Sequence, residues 1–354
     1  MMMIMSITNV ADGAIPNDLQ EKISKINKDG PYLGIVVPNS FEMNPLLQSS
    51  NFLPHDTIPH LDHAGRRFRI GTLENRKVVV VMSGVSMLNS GVATQLLLSM
   101  FRIQGVLHFG LAGSANHESQ IGDVTIPNYW AHTGLWNWQR FGDGRDDELA
   151  FESDGDYTRK YGYLRFADYE VGEVSVNSSD NLLNRVWYQP EEIFHADGKS
   201  EIRQHAFWVP IAERYFSLAK NLEINFLLSC AILLCVYLEP NTLTFTPLCT
   251  LTKVVRVRRG VNVNVFVDNA AYREFLNSKF EATPIDMESV AVALVCHQQR
   301  TPFIAIRAIS NIPGGTSFVD ESTISPLIVQ NTVKVVLKFI SLASEEKLTL
   351  DAAE

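Results

Sequence analysis

The sequence lacks the marks of a redox protein, a nucleic-acid binder or a membrane protein. No Cys-x-x-Cys pair occurs among its four cysteines (Cys230, Cys235, Cys249 and Cys296), which removes the usual zinc and disulfide-exchange frameworks. No basic run is long enough to track a phosphate backbone, and the net charge is -9 with a pI near 5.5. That balance argues against DNA, RNA or an anionic membrane as partner, since each needs a basic surface. The apolar stretch "INFLLSCAILLCVYLEP" at 224–240 is shorter than the roughly 20 residues a spanning helix needs. A small molecule is the partner left.

What the chain does have is an ordinary globular balance, 46% hydrophobic and 19% charged, over 354 residues. That length allows one large α/β domain or two. The start, "MMMIMSITNVADGAIP", carries small residues at Ala11, Gly13 and Ala14 but no basic region and too short an apolar core for a working signal. A truncated leader over 1–13 and a frayed terminus both fit it. Cys296 falls on an apolar helical pattern and reads as a small core residue. The other three cysteines allow one disulfide if the protein is exported, where the sequon Asn177-Ser178-Ser179 would also matter.

Short β-branched runs predict strands covered on both faces: 32–37, 77–82, 105–110, 123–127, 262–267 and 303–309. Helices are predicted between them at 90–103, at 283–300 with Thr283 as N-cap, Pro284 in the first turn and Asp286 at N3, and at 324–344. The order is α/β without internal repeats. Residues 133–215 break the rhythm with aromatics, Gly and Asp. Their neighbourhood of five tryptophans (Trp130, Trp136, Trp138, Trp187 and Trp208) reads as packing in a loop-rich layer before it reads as a binding surface. The segment around 226–257 has no polar face at "CAILLCVYL" and looks foreign to the rest.

Open α/β sheets bind ligands at the carboxyl ends of their strands, so the strand exits are the places to search. The strand "PFIAIRAISN" stops at Asn311. Glu42 lies just past the first strand, Ala112 and Gly113 lie in the small-residue turn "GLAGSAN", and Phe266 precedes "VDNAAY". In this order "HFGLAGSAN…IGDVTIP", "VFVDNAAY", "IDMES" and "IRAIS" resemble the nucleoside phosphorylase and nucleosidase superfamily. The phrases "GPYLGIVVPNSFEMNPLL", "WAHTGLWNWQR" and "RQHAFWVP" resemble its plant bark and vegetative storage proteins, relatives of methylthioadenosine/S-adenosylhomocysteine nucleosidase. The resemblance covers about 14–225 and 258–345 and lapses over the segment that looked foreign, which a translated intron would explain.

The resemblance implies a three-layer αβα sandwich with a central mixed sheet, a single domain over 14–345 and a tail at 346–354. It implies a purine nucleoside as ligand, no cofactor or metal, and a secreted or vacuolar setting; it leaves a homodimer open. It implies that Glu288 accepts hydrogen bonds from ribose hydroxyls beside Met287, and that its charge steadies a developing oxocarbenium ion. Phe266 would stack on the purine, Val267 would offer it backbone contacts, and Arg307 would brace the site. Glu42 matches the acid that activates water. The first two strand exits contain no arginine or lysine, so hydrolysis is expected over phosphorolysis. At Asn311 the nucleosidase branch has an aspartate that protonates N7. An amide donates a hydrogen bond but no proton, so 6-aminopurine cleavage is expected to be impaired. A nitrogen-storage protein without turnover and a nucleoside-binding module are the rival expectations.

Overall fold

The β-branched runs become the middle of one large sheet. A computed structural model describes residues 15–138, 163–164, 186–225, 233–239, 242–248, 252–314 and 321–351. Helix α1 (Asn17–Asp29) leads into β1 (Tyr32–Val37), whose six residues are all buried. Then come α2 (Ser40–Leu47), β2 (Leu53–Pro54), β3 (His60–His63), β4 (Arg66–Leu73), β5 (Arg76–Met82), α3 (Met87–Met100), β6 (Ile103–Ser114) and β7 (Val124–His132). The aromatic region adds β8 (Trp136–Trp138), β9 (Tyr163–Leu164), β10 (Val186–Tyr188), β11 (Glu191–Ile193), β12 (Gln204–Ala206), β13 (Val209–Pro210), α4 (Glu213–Leu218) and α5 (Lys220–Asn225). The rest is β14 (Leu233–Glu239), β15 (Thr242–Leu248), β16 (Val254–Asn262), α6 (Ala270–Phe280), β17 (Ala282–Asp286), α7 (Ser289–Gln298), β18 (Phe303–Asn311) and α8 (Glu321–Asp351).

Strands β5 and β6 flank β1 in parallel, β18 runs parallel to β6, and β16 runs parallel to both β7 and β17. Antiparallel pairs join β4 to β5, β18 to β7, and β17 back to β6. The last pairing closes β6, β18, β7, β16 and β17 into a ring. Gly113 of β6 is consequently in register with Ile285 of β17 and with Asn311 of β18. Helices α3 and α7 pack on each other, while α2, α4 and α5 gather against α8. This is the expected α/β fold, a mixed sheet between helices. Residues 325–345 of α8 are apolar and long enough to cross a membrane by length and composition, yet Ile328, Val329, Val336, Phe339 and Ile340 pack into the core.

Two expectations need correction. Residues 283–286 do not open a helix: they are the fully buried strand β17, and α7 starts at Ser289. The local Thr-Pro cap signal is overridden by long-range pairing, in which the Thr283 carbonyl accepts from the Ala115 amide at 2.7 Å. The strand expected at 262–267 is instead β16 at 254–262, so Phe266 sits four residues past its end. Arginines disguised β16 as a polar segment. Their charges are partnered, Arg256 with Glu223 at 3.1 Å and Arg259 over the Trp208 ring at 4.4 Å.

The end of the segment set apart at 226–257 also moves. Residues 254–257 pair with β7, and the Lys253 amide donates to Asp123 at 3.0 Å, so the sheet resumes near 253. Hairpin β14–β15 pairs only with itself among the described strands. A short polar loop in place of 227–250 should therefore leave solubility and Tm equal or higher. A shortened protein that fails to refold in a thermal melt would make the segment part of the core. The sequon, Cys230 and Cys249 lie outside the described residues. Cys296 is buried and free, as read from its pattern.

Candidate active site

The turn after β1 makes a short helix because Asn39, in extended backbone, accepts the Glu42 amide on its side chain at 3.0 Å. That cap sets Glu42 in the first turn of α2, only 4% exposed. Its Oε1 accepts the Leu111 amide at 2.8 Å, and its Oε2 has no partner among the described residues. Burial pushes the Glu42 carboxyl up to about 7, against the pull of Arg307 and the Leu111 hydrogen bond. Gly110 permits this approach: a Cβ there would lie 2.4 Å from Arg307 Nη1 and 3.0 Å from Glu42 Oε1.

Glu288 and Asp286 come from the junction of β17 and α7. Asp286 Oδ1 accepts the amides of Glu288 and Ser289 at 3.3 and 3.2 Å, starting the helix from outside it. Asn262 Nδ2 also donates to that oxygen at 3.0 Å. Glu288, the N-cap of α7, turns its side chain away and accepts the Ser86 amide on Oε1 at 3.0 Å. Ser86 stands at φ 93°, a conformation costing a non-glycine residue about 1–3 kcal/mol, so rigid surroundings must hold its amide in place. Burial raises the Glu288 pKa; Arg307 opposes the shift and Asp286 adds to it.

Arg307 is the cation at the centre and is fully buried. Its Nε pairs with Asp286 Oδ2 at 2.7 Å and donates to Ser289 Oγ at 3.0 Å, and its Nη1 donates to the Leu111 carbonyl at 3.3 Å. Its Nη2 donates to His108 Nε2 and stands 3.6 Å from Glu288 Oε2. Three carboxylates thus share one guanidinium, whose pull only partly offsets the burial that raises the pKa values of Glu42 and Glu288.

Beside this cluster opens a small cleft lined by Gly113, Val265, Phe266, Val267, Asp286, Met287 and Asn311, with Ile285 and Pro313. Phe266 is 70% exposed at its mouth, whereas the Val267 side chain is buried. Asn311 Oδ1 is within 3.2 Å of the Ser310 hydroxyl. The two walls are tied together: the Gly314 amide donates to Asp268 at 2.9 Å and Arg273 donates to the Pro313 carbonyl at 3.0 Å. Gly314 has φ 67°, and a Cβ there would meet the Ala270 nitrogen at 2.1 Å.

Of the residues expected from sequence, Gly113, Phe266, Val267, Met287 and Asn311 line the cleft, and Glu42, Glu288 and Arg307 form the buried cluster next to it. Ala112 lies behind the wall, buried, within reach of the Ser310 hydroxyl through its carbonyl at 3.3 Å. Asp286, His108 and Ser86 were not anticipated. A histidine inside the apolar run "GVLHFG" was the one available signal. The first two strand exits do lack cations of their own, but β4 brings Arg66 to Asn89 at 2.8 Å and Arg69 to Met43 Sδ at 3.7 Å. Among the described residues no group of three or more His, Cys, Asp or Glu is placed to hold a metal.

A mixed sheet of this topology with acids and one arginine at its strand ends defines a recognisable class. The chain belongs to the phosphorylase superfamily, whose family model matches residues 32–186 and 249–341. It is 30% identical over 321 residues to bark storage protein A of Populus deltoides, covering 90% of this chain and 91% of that one. It is 24% identical over 292 residues to 5'-methylthioadenosine/S-adenosylhomocysteine nucleosidase of Bacillus subtilis (strain 168), covering 80% and 87%. Among solved structures, the corresponding nucleosidase from Neisseria meningitidis in complex with methylthio-immucillin-A aligns with TM-score 0.57 at 18% identity, over 88% of this chain and 98% of that one. An aspartate-to-asparagine mutant of the Helicobacter pylori nucleosidase, with 5'-methylthioadenosine in its active site, aligns with TM-score 0.53 at 18% identity, over 89% and 99%.

Proposed function

We propose that the chain binds a purine nucleoside in this cleft and hydrolyses its N-glycosidic bond, with protonation of the departing base left incomplete at Asn311. The observation that carries this reading is Glu42. A buried carboxylate oxygen without a partner, on an acid whose pKa is pushed up to about 7, suits a base that takes a proton from water attacking the ribose. Glu288 accepts the ribose hydroxyls next to Met287 and stabilises positive charge on the sugar as the bond breaks. Phe266 covers the base, Val267 meets its edge through the backbone, Arg307 braces the acids from behind, and Asn311 donates to N7. Phosphate is disfavoured as the attacking group because it would face the Glu42 carboxylate.

A base-release assay on adenosine, methylthioadenosine and inosine, with and without phosphate, tests the reading. Release should be unchanged by phosphate; saturable dependence on it would make the chain a phosphorylase. The likeness to bark storage proteins and the amide at Asn311 favour a second reading, a nitrogen-storage protein that keeps the pocket without turnover. Absence of base release from every nucleoside, with protein abundance following nitrogen supply, would select it. Nucleoside binding without release would instead select a binding module.

A further inference from the structure

His108 is fully buried on β6, and both of its ring nitrogens are engaged. Nδ1 lies 2.8 Å from the Val36 carbonyl, an acceptor only, so Nδ1 carries the proton and donates. Nε2 is then left as an acceptor, and the group facing it is Arg307 Nη2. A protonated ring would have no acceptor for that guanidinium and would set two cations in contact. Burial, with Arg307 second, accordingly holds the His108 pKa well below the usual histidine value.

The consequence falls on Glu288. Arg307 Nη2 donates to His108, and Glu288 Oε2 is held at 3.6 Å, beyond a good hydrogen bond. Glu288 therefore keeps acceptor capacity on Oε2 while Oε1 takes the Ser86 amide. We propose that His108 is a positioning residue: by accepting Arg307 Nη2 it keeps the guanidinium from closing on Glu288, and so leaves that carboxylate open to a ligand's hydroxyls. The charged group facing His108 is Arg307 from β18, and the titratable groups that face Arg307 in turn are Glu42 from α2, Asp286 from β17 and Glu288 before α7. Without the imidazole acceptor, Nη2 loses its hydrogen-bond partner in a buried setting and turns to Glu288 Oε2, which stands 3.6 Å away.

The inference rests on the proposed role of Glu288 in ribose binding, and the test separates the two. His108→Leu removes the acceptor, while His108→Gln restores one at about the position of Nε2. Calorimetry with adenosine and inosine should show a loss of about tenfold or more in affinity for the Leu variant, the size of one hydrogen bond to a charged group, and recovery in the Gln variant. Equal affinity in all three proteins, or equal loss in both variants with wild-type Tm, overturns the proposal. If the wild type binds neither nucleoside, the functional reading fails, but the positioning claim is still decided by carboxyl-carbon NMR. The Glu288 signal, identified by its loss in Glu288→Gln, should titrate above the ordinary glutamate range in the wild type and lower in His108→Leu. Identical titrations overturn it. Should His108→Leu fail to fold, His108→Met has similar reach with no strong acceptor and carries the same comparison.

Discussion

Asn311→Asp should raise adenine release from adenosine or methylthioadenosine by about 10²-fold or more, the low end of what a general acid contributes. Asn311 lies at the end of β18, in register with Gly113, on the wall of the cleft where the base is proposed to sit. On the proposed reading the amide would donate a hydrogen bond to N7 but keep its proton, so the purine would leave with its charge unneutralised. An aspartic acid of similar size completes the transfer. Inosine should gain less, because its oxygen-bearing edge is already served by an amide donor. The measurement is base release by wild type and variant across pH. Equal background rates on all substrates would reject an impaired nucleosidase and leave storage or binding. The mutant Helicobacter pylori nucleosidase that holds 5'-methylthioadenosine shows that, in that protein, an aspartate-to-asparagine change is compatible with an occupied active site.

Much of this fold is legible in the sequence. "YLGIVV" is β1 to the residue, and "FIAIRAI" lies within β18, because runs buried on both faces leave an unbroken apolar signature. Strand exits with polar tips pointed to Glu42 and Asn311, and the resemblance at "IDMES" pointed to Glu288. What stayed hidden depends on pairing between distant segments. Thr283-Pro284 looks like a helix start to its neighbours, and only β6 and β16 make it a strand. Asp286 was assigned to the helix, whereas it ends the strand and caps the helix from outside. His108 and Ser86 act on residues about 200 positions away, which no local pattern encodes. The arginines of β16 hid a central strand because the acids and ring that partner them lie on α5, β17's leading turn and the β12–β13 connection.

These hidden contacts bear on the chemistry more than the visible ones do. Glu42, Asp286 and Glu288 converge on Arg307, and a single guanidinium cannot satisfy three buried carboxylates. Asp286 has the 2.7 Å contact and, through Asn262 and two amides, the fullest set of partners. Glu42 and Glu288 are left with raised pKa values and spare oxygen atoms. Asp286 thus anchors the turn from β17 into α7, although its Oδ2 takes no hydrogen bond among the described residues, and Glu42 and Glu288 are the two acids proposed to meet a ligand. That division is set by the register of β17 and β18 on β6.

Glu42→Gln should abolish turnover and at the same time stabilise the protein at alkaline pH. As the proposed base, Glu42 must be ionised, so wild-type base release should fall about tenfold per unit below a pH near 7. The amide cannot take a proton from water, and a loss of about 10² to 10⁴ in rate is the usual scale. The stability effect has the opposite sign. The folded pKa is raised, so the unfolded chain ionises Glu42 first. Its contribution to stability is full below the ordinary glutamate pKa and is lost as pH rises to about 7, after which the loss is constant. A shift of this size corresponds to roughly 3 kcal/mol, an upper figure because Gln also leaves a buried polar group. Thermal melts of wild type and Glu42→Gln should therefore diverge between the ordinary glutamate pKa of 4.5 and about pH 7, with the variant gaining on the wild type as pH increases and the difference constant above that. Parallel melting profiles would mean that Glu42 is ionised in the folded protein well below 7, and a base poised near neutrality would no longer account for the site.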